Sequence, residues 1–159
     1  AKNVMDRYRL RWEDTVYEPG EVRAVAYRSD RVLGEASVRT AGPVAALRLT
    51  PDRDMLAADG DDLSFVLVEA VDAEGILHPL AMNEVQFAVS GPATIAGVGN
   101  GDHHFPAEFD SDRVALFYGK AMLILRTVEG VSGEVVVQAS SEALPPVRVS
   151  VRVESSRES

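Results

Sequence analysis

The residues with the clearest potential for chemistry lie in one short stretch of the 159-residue chain. Two adjacent histidines, His103 and His104, stand close in sequence to the carboxylates of Asp102, Asp110 and Asp112. Such a loop offers the oxygen ligands that a hard cation such as Ca²⁺ prefers. Adjacent residues of a strand point to opposite faces, so a strand would not let the two imidazoles share one ion. The spacing matches no EF-hand, and we therefore predict a solvated acidic loop and no metal, with the three aspartates as the candidates for an ion.

Other candidate motifs favour turns over binding sites. Gly97, Gly99 and Gly101 superficially resemble a dinucleotide-binding fingerprint, but they lack its third glycine at the required spacing and a following helix. We therefore predict no cofactor, and Asn100–Gly101 predicts a tight turn at a strand end. The aspartates within residues 52–62 likewise indicate a solvated turn.

No residue pattern indicates a catalytic centre. Ser132 lies in the sequence GVSG, which is not the G-x-S-x-G elbow of hydrolases. The chain has no cysteine, which excludes a thiolate nucleophile and a disulfide framework. Aromatic residues make up only 6% of the chain, few for a sugar-stacking cleft. Trp12 and Tyr17 could form a small sugar platform, with Asn100 as a further ligand candidate, although Trp12 keeps the register of a packed strand.

The overall charge and hydropathy exclude several classes of protein. The formal net charge of -9 disfavours binding to nucleic-acid phosphates or to an anionic membrane surface. Hydrophobic residues account for 46% of the chain and charged residues for 26%, as in ordinary globular proteins. No apolar run reaches the roughly 18 residues of a membrane-spanning helix.

Strands are the predicted elements, because apolar and polar residues alternate with a period of two. Residues 8–12, 21–28 and 32–39 predict a three-stranded meander, which ends at the breaker Thr40-Ala41-Gly42-Pro43. Residues 1–43 hold 8 basic and 7 acidic side chains (+1), whereas residues 44–159 hold 8 and 18 (-10). We therefore predict a domain boundary at this breaker.

The predicted fold class is all-β. Residues 44–153 contain about seven short strands separated by turn signals, which is typical of an immunoglobulin-like β-sandwich. Residues 112–118 could hold one helical turn, and residues 154–159 predict a frayed tail. Residues 1–43 are too few to cover their own apolar face, so they predict part of a larger β-sandwich module. We expect another domain or another chain to cover that face.

Several stretches carry a family resemblance. VYEPGEVRAVAY (residues 16–27) is similar to a Y-x-P-G-x-L-x-A-x-x-Y segment in the C-terminal accessory domains of bacterial glycoside hydrolase family 2 enzymes, the β-galactosidase group. VRTAG (38–42) resembles the continuation of that module. The following module is similar in character to LRLTPDR (47–53), DGDDL (59–63), VEAVD (68–72), VSGP (89–92) and GVGNGD (97–102).

The resemblance implies a part of an enzyme rather than a whole one. In that family an α/β barrel carries two catalytic glutamates, and no stretch of this chain matches the barrel. It therefore implies a noncatalytic accessory fragment of a β-galactosidase-like enzyme, with the barrel and the other domains as partners. Self-association through residues 1–43 is a further expectation. A periplasmic or secreted parent is also implied, while the sequence itself leaves the compartment open.

One alternative belongs to a different class of protein. The chain could be an independent carbohydrate-binding or adhesion-type immunoglobulin-like module, assisted by calcium at its acidic loops. A contiguous patch of aromatic and polar side chains would favour this alternative. An exposed apolar face on residues 1–43 would favour the accessory fragment.

Overall fold

The computed structural model of the chain describes residues 16–104 and 109–155. The chain divides between Thr40 and Ala41 into two compact units, which are described separately. The predicted strand at residues 8–12, including Trp12, lies outside the described residues. Among the residues that are described, no helix has the length and hydropathy needed to cross a bilayer.

The first unit contains an antiparallel hairpin of two strands, β1 (Glu21–Arg28) and β2 (Arg31–Arg39). Ser29 and Asp30 connect the strands, and both have positive φ, at 44° and 67°. Two such residues in succession form the type I′ turn, whose twist matches that of the flanking strands. The sequence-based prediction of a hairpin around these two residues is therefore confirmed.

The two faces of this hairpin differ in chemistry. On one face Val22 lies opposite Val38, followed by alanine and glycine pairs along the strands. The other face carries the ion pair of Arg23 with Glu35. Val22 and Val38 are 67% and 74% exposed in the structure. We call the face that carries them the hairpin apolar face; it consists of Val22, Ala24, Ala26, Gly34, Ala36 and Val38.

The second unit is a β-sandwich of two packed sheets. The five-stranded sheet has the order β4-β11-β10-β6-β8, and the four-stranded sheet has the order β3-β5-β9-β7. The strands within the described residues are β3 (Ala46–Pro51), β4 (Met55–Ala57), β5 (Leu63–Val71), β6 (Glu84–Ser90), β7 (Ala93–Gly99), β8 (Arg113–Ala115), β9 (Lys120–Thr127), β10 (Gly133–Ser141) and β11 (Leu144–Glu154). The predicted all-β, immunoglobulin-like sandwich is confirmed.

One apolar core fills the space between the two sheets. Alternate residues of each strand point inward, as the period-two pattern predicts. Branched aliphatic side chains dominate the core, and Phe87 is its aromatic member. The largest fully buried side chains are Leu116, Leu123, Leu125, Val66, Val68, Val85, Val98, Val135, Val137, Val151 and Val153.

Two short edge strands differ from the sequence-based expectation. The helical turn expected at residues 112–118 is wrong, because Arg113–Ala115 forms β8 and pairs with the edge of β6. Val114 and Leu116 are both buried, which is the alternation expected of a strand. A strand of three residues is too short for this alternation to be recognised in the sequence. Met55–Ala57, expected as part of an acidic loop, pairs in parallel with the end of β11 as β4. Glu154, which the sequence predicts as part of the frayed tail, is instead the last residue of β11.

Candidate functional site

The loop that follows β7 positions the residues with the most chemical potential. The Asn100 side chain donates from Nδ2 to the carbonyl oxygen of Ala115, at 2.9 Å. Its Oδ1 accepts from the backbone N–H of Asp102, also at 2.9 Å. Gly101 between them has φ of 79°, which ends the strand conformation. Asn100, a ligand candidate from the sequence, is thus engaged in holding this turn.

Asp102, His103 and His104 come together in this turn. The Asp102 Oδ1 atom accepts from the backbone N–H of His104 at 2.9 Å and lies 3.8 Å from the His104 Nδ1 atom. The two imidazole rings are 3.8 Å apart between centroids. One ligand atom from each of the three side chains lies within 4.8 Å of the others. The alternation of a strand does not predict that the two imidazoles lie close together. The sequence signal for their proximity is Gly101, which takes the histidines out of the strand.

The other two predicted aspartates are not members of this group. Asp110 is exposed, and Asp112 uses its backbone carbonyl to accept from the N–H of Phe87, at 2.8 Å. The Asp112 carboxylate faces the guanidinium of Arg113 at 3.7 Å instead. The structure therefore brings one of the three aspartates to the histidines.

The acidic stretch of residues 52–62 uses its carboxylates to bind groups of its own turn and of the strand β5 that follows. Asp52 accepts from the backbone N–H of Phe65 and from the hydroxyl of Ser64. Burial acts to raise the pKa of Asp52, but these bonds and the neighbouring Arg53 hold it below its ordinary value. Asp59 accepts from two backbone N–H groups within the same turn, which lowers its pKa. These groups support a structural turn.

Asp72 has the same kind of role after β5. Its carboxylate accepts from the backbone N–H groups of Gly42, Glu74 and Ile76 at 2.8, 3.0 and 2.8 Å. The bond from Gly42 is the main reason why the pKa of Asp72 lies below its ordinary value. The carboxylate therefore joins the segment that enters β3 to the loop that leaves β5.

Glu69 forms a charged cluster on the outer face of the four-stranded sheet. Its carboxylate accepts from Arg48 through Nε at 3.0 Å and Nη2 at 2.8 Å, and Lys120 Nζ lies 3.4 Å away. Burial acts to raise the pKa of Glu69, but the two cations hold it below its ordinary value. The three residues lie on neighbouring strands in register, which makes them a cross-strand ion-pair network.

An open groove of about 820 Å³ lies along the ends of β4, β10 and β11. Its charged lining residues are Asp54, Glu134, Arg152 and Glu154, and none of the residues that line it is aromatic. Aromatic faces are the usual platforms of ligand pockets, so this groove lacks the stacking surface a sugar would use.

Tyr17, the remaining ligand candidate, is 74% exposed in the first unit. Its hydroxyl lies 3.3 Å from Thr40 Oγ1, and the same Thr40 oxygen accepts from the N–H of Gly20 at 3.1 Å. The tyrosine thus contacts Thr40, the residue that follows β2. Its proposed companion, Trp12, lies outside the described residues.

Comparisons with known proteins agree with this architecture. Residues 47–150 match the model of Glycoside hydrolase family 2 C-terminal domain 5, and residues 1–34 match a Domain of unknown function (DUF4982). The chain is 41% identical over 140 residues to Beta-galactosidase BoGH2A of Bacteroides ovatus, covering 88% of the chain and 16% of that protein. It is 34% identical over 97 residues to a Beta-glucuronidase of Formosa agariphila, covering 60% of the chain and 10% of that protein.

Solved structures give the same result. A glycosyl hydrolase family 2 member from Bacteroides cellulosilyticus superposes with a TM-score of 0.84 at 34% identity, covering 88% of the chain and 18% of that structure. A beta-glucuronidase from glycoside hydrolase family 2 superposes with a TM-score of 0.79 at 29% identity, covering 89% of the chain and 15% of that structure. The chain thus spans less than a fifth of the length of these relatives. Because the family model covers most of the sandwich, the chain belongs to the family of glycoside hydrolase family 2 C-terminal domain 5.

Proposed function

We propose that the chain is the noncatalytic C-terminal accessory region of a β-galactosidase-like glycoside hydrolase. The observation that carries this proposal is the coverage: 88% of the chain aligns with Beta-galactosidase BoGH2A but accounts for 16% of that protein. The structural relatives show the same difference between the large share of this chain and the small share of the relative that align. In this proposal the parent enzyme cleaves O-glycosidic bonds in a part that this chain does not contain.

The engagement of the carboxylates supports a structural role. Glycosidases place two carboxyl groups across the scissile bond, at about 5–5.5 Å for retention and about 6.5–9.5 Å for inversion. In the described part of the chain, the carboxylates whose pKa is shifted, those of Asp52, Asp59, Glu69 and Asp72, all accept hydrogen bonds from the fold itself. A carboxylate that is engaged in such hydrogen bonds stabilises loops and sheets and does not stabilise a reacting sugar.

The hairpin apolar face is the proposed contact surface toward the rest of the enzyme. Its residues are small and apolar, and Val22 and Val38 are mostly exposed in the described chain. The opposite face carries ion pairs suited to water. Two strands are marginal without a covering layer, so another β-sheet of the parent would bury this face. In the separated chain a second copy would serve instead, which is the proposed route to self-association.

Light scattering of the chain after gel filtration tests this contact surface. We expect a concentration-dependent dimer that Val22→Glu with Val38→Glu abolishes, because two carboxylates in an apolar contact are costly to bury. Ser37→Glu, on the opposite face of the same strand, is the matched control and should leave the dimer intact. A chain that is monomeric at every concentration would contradict self-association, and a dimer unaffected by the paired substitution would contradict the assignment of this face.

Titration with galactosides and polysaccharides, with and without Ca²⁺, distinguishes the accessory region from an independent carbohydrate-binding or adhesion-type module. The accessory proposal predicts no saturable binding in either condition. Saturable binding at millimolar or lower concentration, especially if Ca²⁺ enhances it, would favour the module.

A further inference from the structure

We propose that Asp102, His103 and His104 form a surface site for a divalent transition-metal ion of the Zn²⁺, Ni²⁺ or Cu²⁺ class. The site is independent of the proposed function, because it uses only side chains of the loop after β7. It also differs from the calcium site considered for the aspartates, since two of its three ligands are nitrogen atoms.

The geometry is close to that of a three-ligand site. The ligand atoms all lie within 4.8 Å of one another. With metal–ligand bonds of about 2.0–2.1 Å, neighbouring ligands of a tetrahedral ion are separated by about 3.3 Å. Ordinary rotations of exposed side chains close a difference of this size, and His104 is 80% exposed at its side chain.

The surrounding hydrogen bonds position the carboxylate for this role. Asn100 holds the turn by bonding both the carbonyl of Ala115 and the N–H of Asp102. The Asp102 Oδ1 atom in turn accepts from the N–H of His104, which ties the carboxylate to the histidine backbone. A carboxylate has about four lone-pair positions, so it can still coordinate an ion. Such outer contacts orient metal ligands in known sites.

The ligand types select the class of ion. Imidazole nitrogen suits zinc, copper and nickel, whereas calcium and magnesium require a shell of oxygen atoms. Only one carboxylate takes part here, and the chain has no cysteine to supply a thiolate. The exposed position leaves the remaining coordination positions to water, and a bound ion would fasten the start of the connection between β7 and β8.

Calorimetric titration of the tag-free 159-residue chain with ZnCl₂ tests the site, because a polyhistidine tag would bind the same ion. We expect one ion per chain. Imidazole NMR should show changed resonances for His103 and His104 and unchanged resonances for His78, the third histidine of the chain. NiCl₂ should give the same pattern and CaCl₂ should not. Absence of Zn²⁺ binding up to millimolar concentration, or binding reported by His78 alone, would overturn the proposal.

Single substitutions then test each ligand. His103→Ala, His104→Ala and Asp102→Asn should each weaken Zn²⁺ affinity by at least about tenfold, the loss expected even for outer-shell partners of a metal. Asp110→Asn is the matched control, because this exposed aspartate lies in the same loop but outside the group. Thermal unfolding without metal verifies that the variants fold, and the histidine variants keep the test valid if Asp102→Asn disturbs the turn. Unchanged affinity in both histidine variants would contradict the site.

Discussion

Single carboxylates determine much of the local structure of this sandwich. Asp52, Asp59 and Asp72 each accept from at least one backbone N–H, which belongs to β5 for Asp52 and to a loop for the other two. Charge-assisted bonds of this kind are roughly twice as strong as bonds between neutral groups. The acidic composition of residues 44–159 therefore has a structural use at these positions.

Replacing Asp72 tests this use most sharply. Asp72→Ala removes the acceptor for three backbone N–H groups, so we expect a clearly lower midpoint of thermal unfolding. Asp61→Ala, at an exposed position of another turn, is the control and should leave the midpoint nearly unchanged. Circular dichroism follows the thermal unfolding of both variants. Equal midpoints of unfolding for the two variants would contradict the role assigned to Asp72.

The same carboxylates make the stability depend on pH. Hydrogen bonds to Asp59 and Asp72 lower the pKa of both groups, and the cations beside Glu69 lower its pKa against the opposing effect of burial. A carboxyl group with a lowered folded-state pKa stabilises the fold above its unfolded pKa and loses that contribution as the pH falls. The ordinary values are 3.8 for aspartate and 4.5 for glutamate.

We therefore expect the free energy of unfolding to decrease as the pH falls below about 4.5, with little contribution from these groups between there and neutrality. Urea unfolding at a series of pH values measures it. The Asp72→Asn variant should show a shallower decrease, because its amide does not titrate. A free energy that stays constant into strong acid would rule out this linkage.

At the scale of elements, the core positions follow from the alternation of the strands. Leu123 of β9 is fully buried, while its neighbour Met122 lies on the outer face of the sheet. Leu123→Ala should cost about 2–5 kcal/mol of unfolding free energy, from lost apolar burial and the cavity that remains. Met122→Ala should cost less, as measured by urea unfolding. A reversed order would mean that the faces of β9 have been misassigned.

The turn between β6 and β7 depends on a single glycine. Gly91 has φ of 94°, and a Cβ atom at this position would lie 2.1 Å from the carbonyl oxygen of Glu134. Gly91→Ala should therefore destabilise the sandwich by more than the roughly 1–3 kcal/mol of backbone strain alone. Gly99→Ala, where a Cβ atom meets no neighbour within 4 Å, is the control. Similar unfolding midpoints for both variants would contradict the predicted clash at position 91.

The long strands could be predicted from sequence because their apolar runs or their alternation extend over many residues. The sequence predicts strands at residues 63–72, from a nearly continuous apolar run, and at residues 121–128, and Leu63–Val71 and Lys120–Thr127 match them within one residue at each end. The three-residue strands β4 and β8 could not, because such short runs carry almost no periodic signal. The close approach of the His103 and His104 rings could not be predicted from the sequence either, because the alternation of strand residues does not continue beyond Gly101. Spacing in the sequence could not tell which aspartates would join them.

The whole chain combines two regions that match different family models. Residues 47–150 match one family model and form a sandwich with its own core, whereas residues 1–34 match another. The hairpin of the first unit carries the hairpin apolar face, on which Val22 and Val38 are mostly exposed. This face is the surface to which the proposed function assigns the contact with the parent enzyme.

The proposed accessory role requires that this region carry no glycosidase activity of its own. The most direct test is to incubate the purified 159-residue chain with chromogenic aryl β-galactoside and aryl β-glucuronide and to follow release of the chromophore. We predict release equal to that in buffer at every protein concentration. Release that rises in proportion to the concentration of the chain and co-elutes with it on gel filtration would contradict a noncatalytic role.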